Sequence, residues 1–294
     1  MTSEMNVLIF SFLGGIIPAF FWLWFWMRED RLHPEPKSAL FSSFFGGILA
    51  VLIALFFELI FYYLLISANP HYIKDFPSLL GVPLQNLADR YNLLENQTQF
   101  WSYIQNIFNS WNFSFSYNIE AKKFFLLVII APITEEFLKL ALTYGFCLRR
   151  KINDEPIDAA IYMLTAALGF ASVETALFLT DPLTKGNILD TFIAGNFRSI
   201  GPMLIHLICS AMLGIFIGLA FYKSRIKKFF YLIGGFIVVS FLHSLFNFFI
   251  MLNDTTHNIA FFWTACIGTW ILVAILLIFF ERVKRVTLPI NKLD

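Results

Sequence analysis

Charge is what this sequence has least of. Only 14% of its 294 residues are Asp, Glu, Lys or Arg, against 58% hydrophobic. That balance excludes a soluble globular domain and describes a polytopic membrane protein. Cysteine is scarce as well. Cys147, Cys209 and Cys266 each fall inside an apolar run, without disulfide-framework or zinc-site spacing, and read as small buried hydrophobes. No basic, aromatic-interleaved patch points to nucleic acid, and a net charge of +1 singles out no partner. No internal repeat is visible, so an inverted-repeat transporter gains no support. No Lys or Arg precedes the first apolar run, which reads as a span rather than a cleavable signal peptide.

What is present is apolar length. Hydropathy predicts seven spans, at about 5–27, 38–67, 124–148, 156–180, 202–222, 229–251 and 259–280, and 37 Phe suit a lipid-facing surface. The predicted fold is all-α, a polytopic helical bundle forming one integral membrane domain over 1–294. Fourteen Lys and Arg fall in 28–37, 149–155, 223–228 and the tail, and six in the opposite loops. The excess marks the cytoplasmic side, with the N-terminus outside and the C-terminus inside. The one long loop, 68–123, is then extracytoplasmic. Within it Phe100, Trp101, Ile104, Ile107, Phe108 and Trp111 recur at helical spacing. That pattern predicts either a helix in the membrane interface or one packed on the protein's own spans.

Against this background four stretches carry ionisable groups inside apolar runs. The third span holds Glu135, Glu136 and Lys139, with Lys139 able to reach either carboxylate on one helix face. Each such charge at a span's centre costs about 2.5–3.5 kcal/mol even on a lenient scale. Pro132, one turn earlier, leaves a backbone carbonyl without its usual donor. The fourth span carries Glu174 among small residues. In the fifth, His206, Ser210 and Gly214 form one stripe. In the sixth, His243 and Asn247 share a face. Singly, each group could be glue between helices. With ~1.5 Å of rise per residue, however, all of them fall in the outer half of the membrane although neighbouring spans run in opposite directions. Scattered glue has no reason to do so.

The chemistry available to such a cluster is limited. A desolvated Glu can act as a general base on water, two imidazoles and a carboxylate can hold zinc, and an ammonium or amide can stabilise an oxyanion. There is no spacing typical of a serine hydrolase, although a Ser210–His206 pair is conceivable. Water-activating hydrolysis is the natural reading, and proton- or ion-coupled transport uses the same residue types.

Taken together, Glu135-Glu136-x-x-Lys139, Phe170-x-x-x-Glu174, His206-x-x-x-Ser210-x-x-x-Gly214 and His243-x-x-x-Asn247 resemble the four motifs of PrsW-type intramembrane proteases. That family shares a superfamily with type II CAAX prenyl proteases and bacteriocin-immunity-like membrane proteins. The resemblance covers about 120–250, leaving the first two spans, the 68–123 insertion and the last span outside. It implies a peptidase of the bacterial plasma membrane cutting a membrane-anchored protein near its extracytoplasmic boundary, such as an anti-sigma factor. Glu135 and Glu136 would activate or orient water. Glu174, His206 and His243 would complete the site as metal ligands, zinc for example, or as hydrogen-bonding partners of a metal-free glutamate-type site. Asn247 would help hold the oxyanion, and Lys139 would balance the carboxylates. A catalytically silent binding or immunity-type relative is the non-enzyme counterpart.

Overall fold

The first predicted span forms α1 (Thr2–Trp26) and the second α2 (Lys37–Ile66), close to their expected ends. The computed structural model describes residues 2–28, 34–66, 124–184 and 188–286. The long-loop helix expected within 68–123 lies outside those residues. The remaining helices are α3 (Ala131–Thr143), α4 (Asp158–Thr184), α5 (Ile188–Ile200), α6 (Pro202–Leu219), α7 (Arg225–Thr256) and α8 (Ile259–Lys284). Among the described residues there is no strand, so the fold is an all-α membrane bundle. Among the described residues, six helical segments are long and apolar enough to cross a membrane.

The third apolar run behaves differently from those six. It is helical throughout, but α3 is bracketed by π-helical turns at Phe125–Ile130 and Tyr144–Leu148. In the first, the Ala131 N–H reaches back five residues to the Leu126 carbonyl. The same step from Pro132 would reach Leu127, but proline has no N–H to give. Asn247 of α7 supplies the missing donor, its Nδ2 donating to the Leu127 carbonyl at 3.0 Å. Wide turns of this kind recur at functional sites, and here they flank the charged segment.

Helix α5 corrects the sequence reading, which treated 181–201 as a loop. Its Ile188, Leu189, Phe192, Ile193, Phe197 and Ile200 follow a helical period on an exposed apolar face. Gly201 and Pro202 then break the direction before α6, so two helices share one apolar stretch, Thr191–Leu219.

At the centre stands α4, against which α1, α2 and α6 make the most extensive contacts in the bundle. Small residues allow this approach. A Cβ at Gly47 would lie 1.8 Å from the Ala166 carbonyl oxygen, and one at Gly214 2.4 Å from that of Ala159. The lower end of α4 is locked by polar contacts. The Asp158 carboxylate accepts from the Asp154 and Glu155 N–H groups at 2.8 and 2.7 Å, and the Tyr162 hydroxyl donates to Glu35 and to the Ile152 carbonyl. The Asp154–Asp158 stretch is thus a helix start.

Candidate active site

Four helices deliver the intramembrane polar groups to one place. Helix α3 contributes Glu135, Glu136 and Lys139, all buried. Helix α4 contributes Glu174, α6 contributes His206 and Ser210, and α7 contributes His243.

The two adjacent glutamates have opposite surroundings. Glu136 is fully engaged: Lys139 Nζ lies 2.5 Å from its Oε1, His243 Nδ1 lies 3.1 Å from the same oxygen, and Ser210 Oγ donates to Oε2 at 3.1 Å. Glu135 Oε2 is buried without a hydrogen-bond partner. It faces His206 Nδ1 at 3.6 Å and His243 Nε2 at 3.7 Å. The sequence allowed Lys139 to pair with either glutamate, and the structure pairs it with Glu136.

Each imidazole is gripped from behind by a carboxylate. His206 Nε2 lies 2.9 Å from Glu174 Oε2, and His243 Nδ1 lies against Glu136. The opposite nitrogens, Nδ1 of His206 and Nε2 of His243, therefore face Glu135. The two rings meet edge to face with centroids 4.7 Å apart. Phe170 walls the site, its ring 5.2 Å from that of His206 and 4.7 Å from Lys139 Nζ. Such a cation–π contact offsets part of the cost of burying an ammonium.

The donor chemistry fits a divalent metal. Glu135, His206 and His243 each offer a ligand atom, all within 4.8 Å of one another. Tetrahedral zinc with N and O ligands at about 2.1 Å places those atoms roughly 3.4 Å apart, close to the two separations from Glu135. The partnerless, buried Oε2 of Glu135 is a donor atom of the kind such a site would use. Lys139 Nζ, held by Glu136, also approaches His206 Nδ1 at 3.1 Å. The sequence placed Glu174 beside the histidines as a candidate ligand. In the structure Glu135 joins them, and Glu174 sits behind His206.

Of the eight residues singled out in the sequence, seven converge here. Asn247 is the exception in role: its amide is committed to the Leu127 carbonyl rather than to any of the site's charged groups. Two further charged residues were missed. Arg198 of α5 places Nη2 2.8 Å from Glu174 Oε2 and stacks its guanidinium over Phe178. By hydropathy alone it reads as a loop charge, because polar residues mask the helical period of α5. Glu58 of α2, half-buried, shares the electrostatic surroundings of Glu135 and Glu174. Apart from Lys37 at its start, Glu58 is the sole charged residue of that 30-residue helix, a signal open to sequence reading.

Comparisons with known proteins identify the family. Residues 98–282, more than half of the chain, match the family model described as PrsW family intramembrane metalloprotease. The chain belongs to the PrsW family. The family match runs beyond the 120–250 of the motif resemblance, taking in the later part of the long loop and α8. A protein called Protease PrsW from Geobacillus kaustophilus (strain HTA426) is 30% identical over 124 residues, 42% of this chain and 51% of that relative. Another of the same name, from Shouchella clausii (strain KSM-K16), is 30% identical over 128 residues, 44% of this chain and 54% of its own. The chain thus matches about half the length of these curated PrsW relatives. No solved structure matches it.

Proposed function

We propose that this PrsW-family chain is an intramembrane peptidase that hydrolyses a peptide bond of a membrane-anchored protein near its extracytoplasmic boundary. The observation that carries the reading is the partnerless Glu135 Oε2 facing two imidazole nitrogens. Water between these three atoms would meet one carboxylate oxygen free to take its proton. Glu174 behind His206 and Glu136 behind His243 hold the rings and decide which nitrogens face that water, as carboxylates do for metal-binding histidines. Ser210 and Lys139 fix Glu136, and the Lys139 ammonium also supplies positive charge close to a developing oxyanion.

Glu135, His206 and His243 would hold a divalent metal. Such an ion, when bound, polarises the scissile carbonyl and makes water a better nucleophile. The same three atoms serve a glutamate-type reaction without metal, and the metal content of the purified protein separates the two. The excess of Lys and Arg in one set of loops supports an orientation with the N-terminus outside and the C-terminus in the cytoplasm. The site then opens toward the outer face of a bacterial plasma membrane, where an anti-sigma factor or another regulatory membrane protein is a fitting substrate.

The test uses the purified full chain with candidate membrane substrates. Glu135→Gln, Glu136→Gln and His206→Ala should each abolish cleavage while leaving expression intact. Full activity in all three would sink the peptidase reading. Proton-driven uptake into vesicles, lost in the same variants, would indicate a transporter instead.

A further inference from the structure

Glu174 and Phe178 lie four residues apart on one face of α4, and both meet Arg198 of α5. Arg198 Nη2 is 2.8 Å from Glu174 Oε2, and the guanidinium carbon is 4.5 Å from the centre of the Phe178 ring. The end of α5 is itself anchored. The Trp22 indole of α1 donates to the carbonyl of Ser199, the next residue, at 3.1 Å. Arg198 also stands in the last turn of α5, where the helix dipole favours a cation. Among the described residues its Nε and Nη2 make no aligned hydrogen bond, so it acts on Glu174 by charge. A guanidinium placed among apolar helices is expensive and marks function more often than anchoring.

The carboxylate oxygen that meets Arg198 also carries the link inward. Glu174 Oε2 lies 2.9 Å from His206 Nε2. The Glu174 side chain is 35% exposed against 3% for His206, so this carboxylate stands at the rim of the site and has room to turn outward. On the far side of the ring, His206 Nδ1 lies 3.1 Å from Lys139 Nζ and 3.6 Å from Glu135 Oε2. An ammonium only donates, so Nδ1 must accept, and the ring proton belongs on Nε2. The bond made by one imidazole nitrogen decides the state of the other, and here Glu174 makes that bond.

We propose that Arg198 is a positioning residue: by holding Glu174 Oε2 against His206 Nε2, it keeps the Nδ1 lone pair turned toward Glu135. The proposal rests on the reading of His206 as part of the hydrolytic site. It adds α5, outside the four motifs, to the groups that set up that site. Loss of an outer partner of a metal-binding histidine costs about 10–100-fold in metal affinity or activity. Arg198 acts one step further out, which places its effect at about 10-fold, the lower end of that range.

The experiment uses the purified full chain, first without metal, with the ring nitrogens of its five histidines isotopically labelled. The His206 signals are those lost in His206→Ala. In the wild type the proton should sit on Nε2, and in Arg198→Gln the ring should become a mixture of both tautomers. Zinc affinity by chelator competition should fall about 10-fold in the same variant, and kcat rather than KM by a similar factor. Arg198→Lys, which keeps the charge but not the stacked plane, should lose less in every readout. Arg198→Met, with an unbranched apolar stem, repeats the test should Arg198→Gln not fold. In a Glu174→Gln background Arg198→Gln should bring no further loss, because the two residues act in series. A wild-type ring protonated on Nδ1 overturns the proposal, as does a His206 signature unchanged by loss of the arginine. A further loss in the Glu174→Gln background also overturns it, since Arg198 would then act on something other than Glu174. A lysine variant as poor as the glutamine one overturns holding by charge. A wild-type chain that cleaves nothing, yet shows the His206 and zinc effects, sinks the peptidase reading alone.

Discussion

Helices α4 and α8 are both long and apolar, yet they have different surroundings. In the most apolar stretch of α4, 78% of residues are buried inside the protein, against 28% in α8. The difference lies in side-chain size. Helix α4 presents Ala159, Ala160, Ala166, Ala167, Gly169, Ala171 and Ser172, which admit neighbouring backbones. Helix α8 presents Trp263, Ile267, Trp270, Ile271 and Ile278 to its surroundings. In a bilayer apolarity does not drive helices together, because lipid is as apolar as leucine. Small residues decide which helix becomes the hub, and the hub carries Glu174 and the Phe170 wall.

The comparison can be broken first at the site. Glu135→Gln or His206→Ala should lower kcat about 10²–10⁴-fold, the range for losing a positioned acid–base group. Phe241→Leu, on the exposed face of α7, should cleave at the wild-type rate in the same assay. Equal losses in both would mean that the buried polar cluster has no special part in the chemistry.

The next effect is on packing. Gly47→Ala would put a Cβ 1.8 Å from the Ala166 carbonyl oxygen, and pushing α2 off α4 should cost about 1–3 kcal/mol, read as a lower unfolding midpoint. Gly268→Ala in α8 meets nothing within 4 Å and should instead stabilise by about 0.5–1 kcal/mol. If both changes moved stability the same way, the distinction between hub and lipid-facing helix would collapse.

A smaller effect is expected at the π-helical turn. Asn247→Leu leaves the Leu127 carbonyl without its donor and should cost about 1 kcal/mol, the scale of interhelical hydrogen bonds in membranes. Because Asn247 supports the turn before α3 rather than an oxyanion, its loss should cut cleavage far less than Glu135→Gln does. A loss as deep as that of Glu135→Gln would return Asn247 to the chemistry.

Much of this was legible along the chain. Apolar length located α1, α2, α4, α6, α7 and α8 to within a few residues. The four-residue spacings put His206 with Ser210, and His243 with Asn247, on common faces. Helix α5 escaped because Asn187, Asp190, Asn196 and Arg198 lower the hydropathy of its segment while its apolar period runs on. Glu58 escaped because a single carboxylate in a long apolar run has no helical partner three or four residues away to draw attention to it. Asn247 was given a site role because its spacing from His243 is right, but its donor was claimed by a carbonyl that Pro132 had orphaned.

The sequence by itself determined that the protein is a helical membrane bundle with carboxylates, imidazoles and an ammonium at one depth. Apolar length and helical period are local properties, and depth follows from them by counting residues. Only the tertiary structure decided which of two adjacent glutamates is spent and which is free. Successive side chains on a helix point about 100° apart, so Glu135 and Glu136 face different neighbours. Lys139 comes from α3 itself, but the neighbours that tell the two apart, His243 and Ser210 around Glu136 and both imidazoles around Glu135, are set by how α6 and α7 close around α3. No spacing within a single helix carries that information.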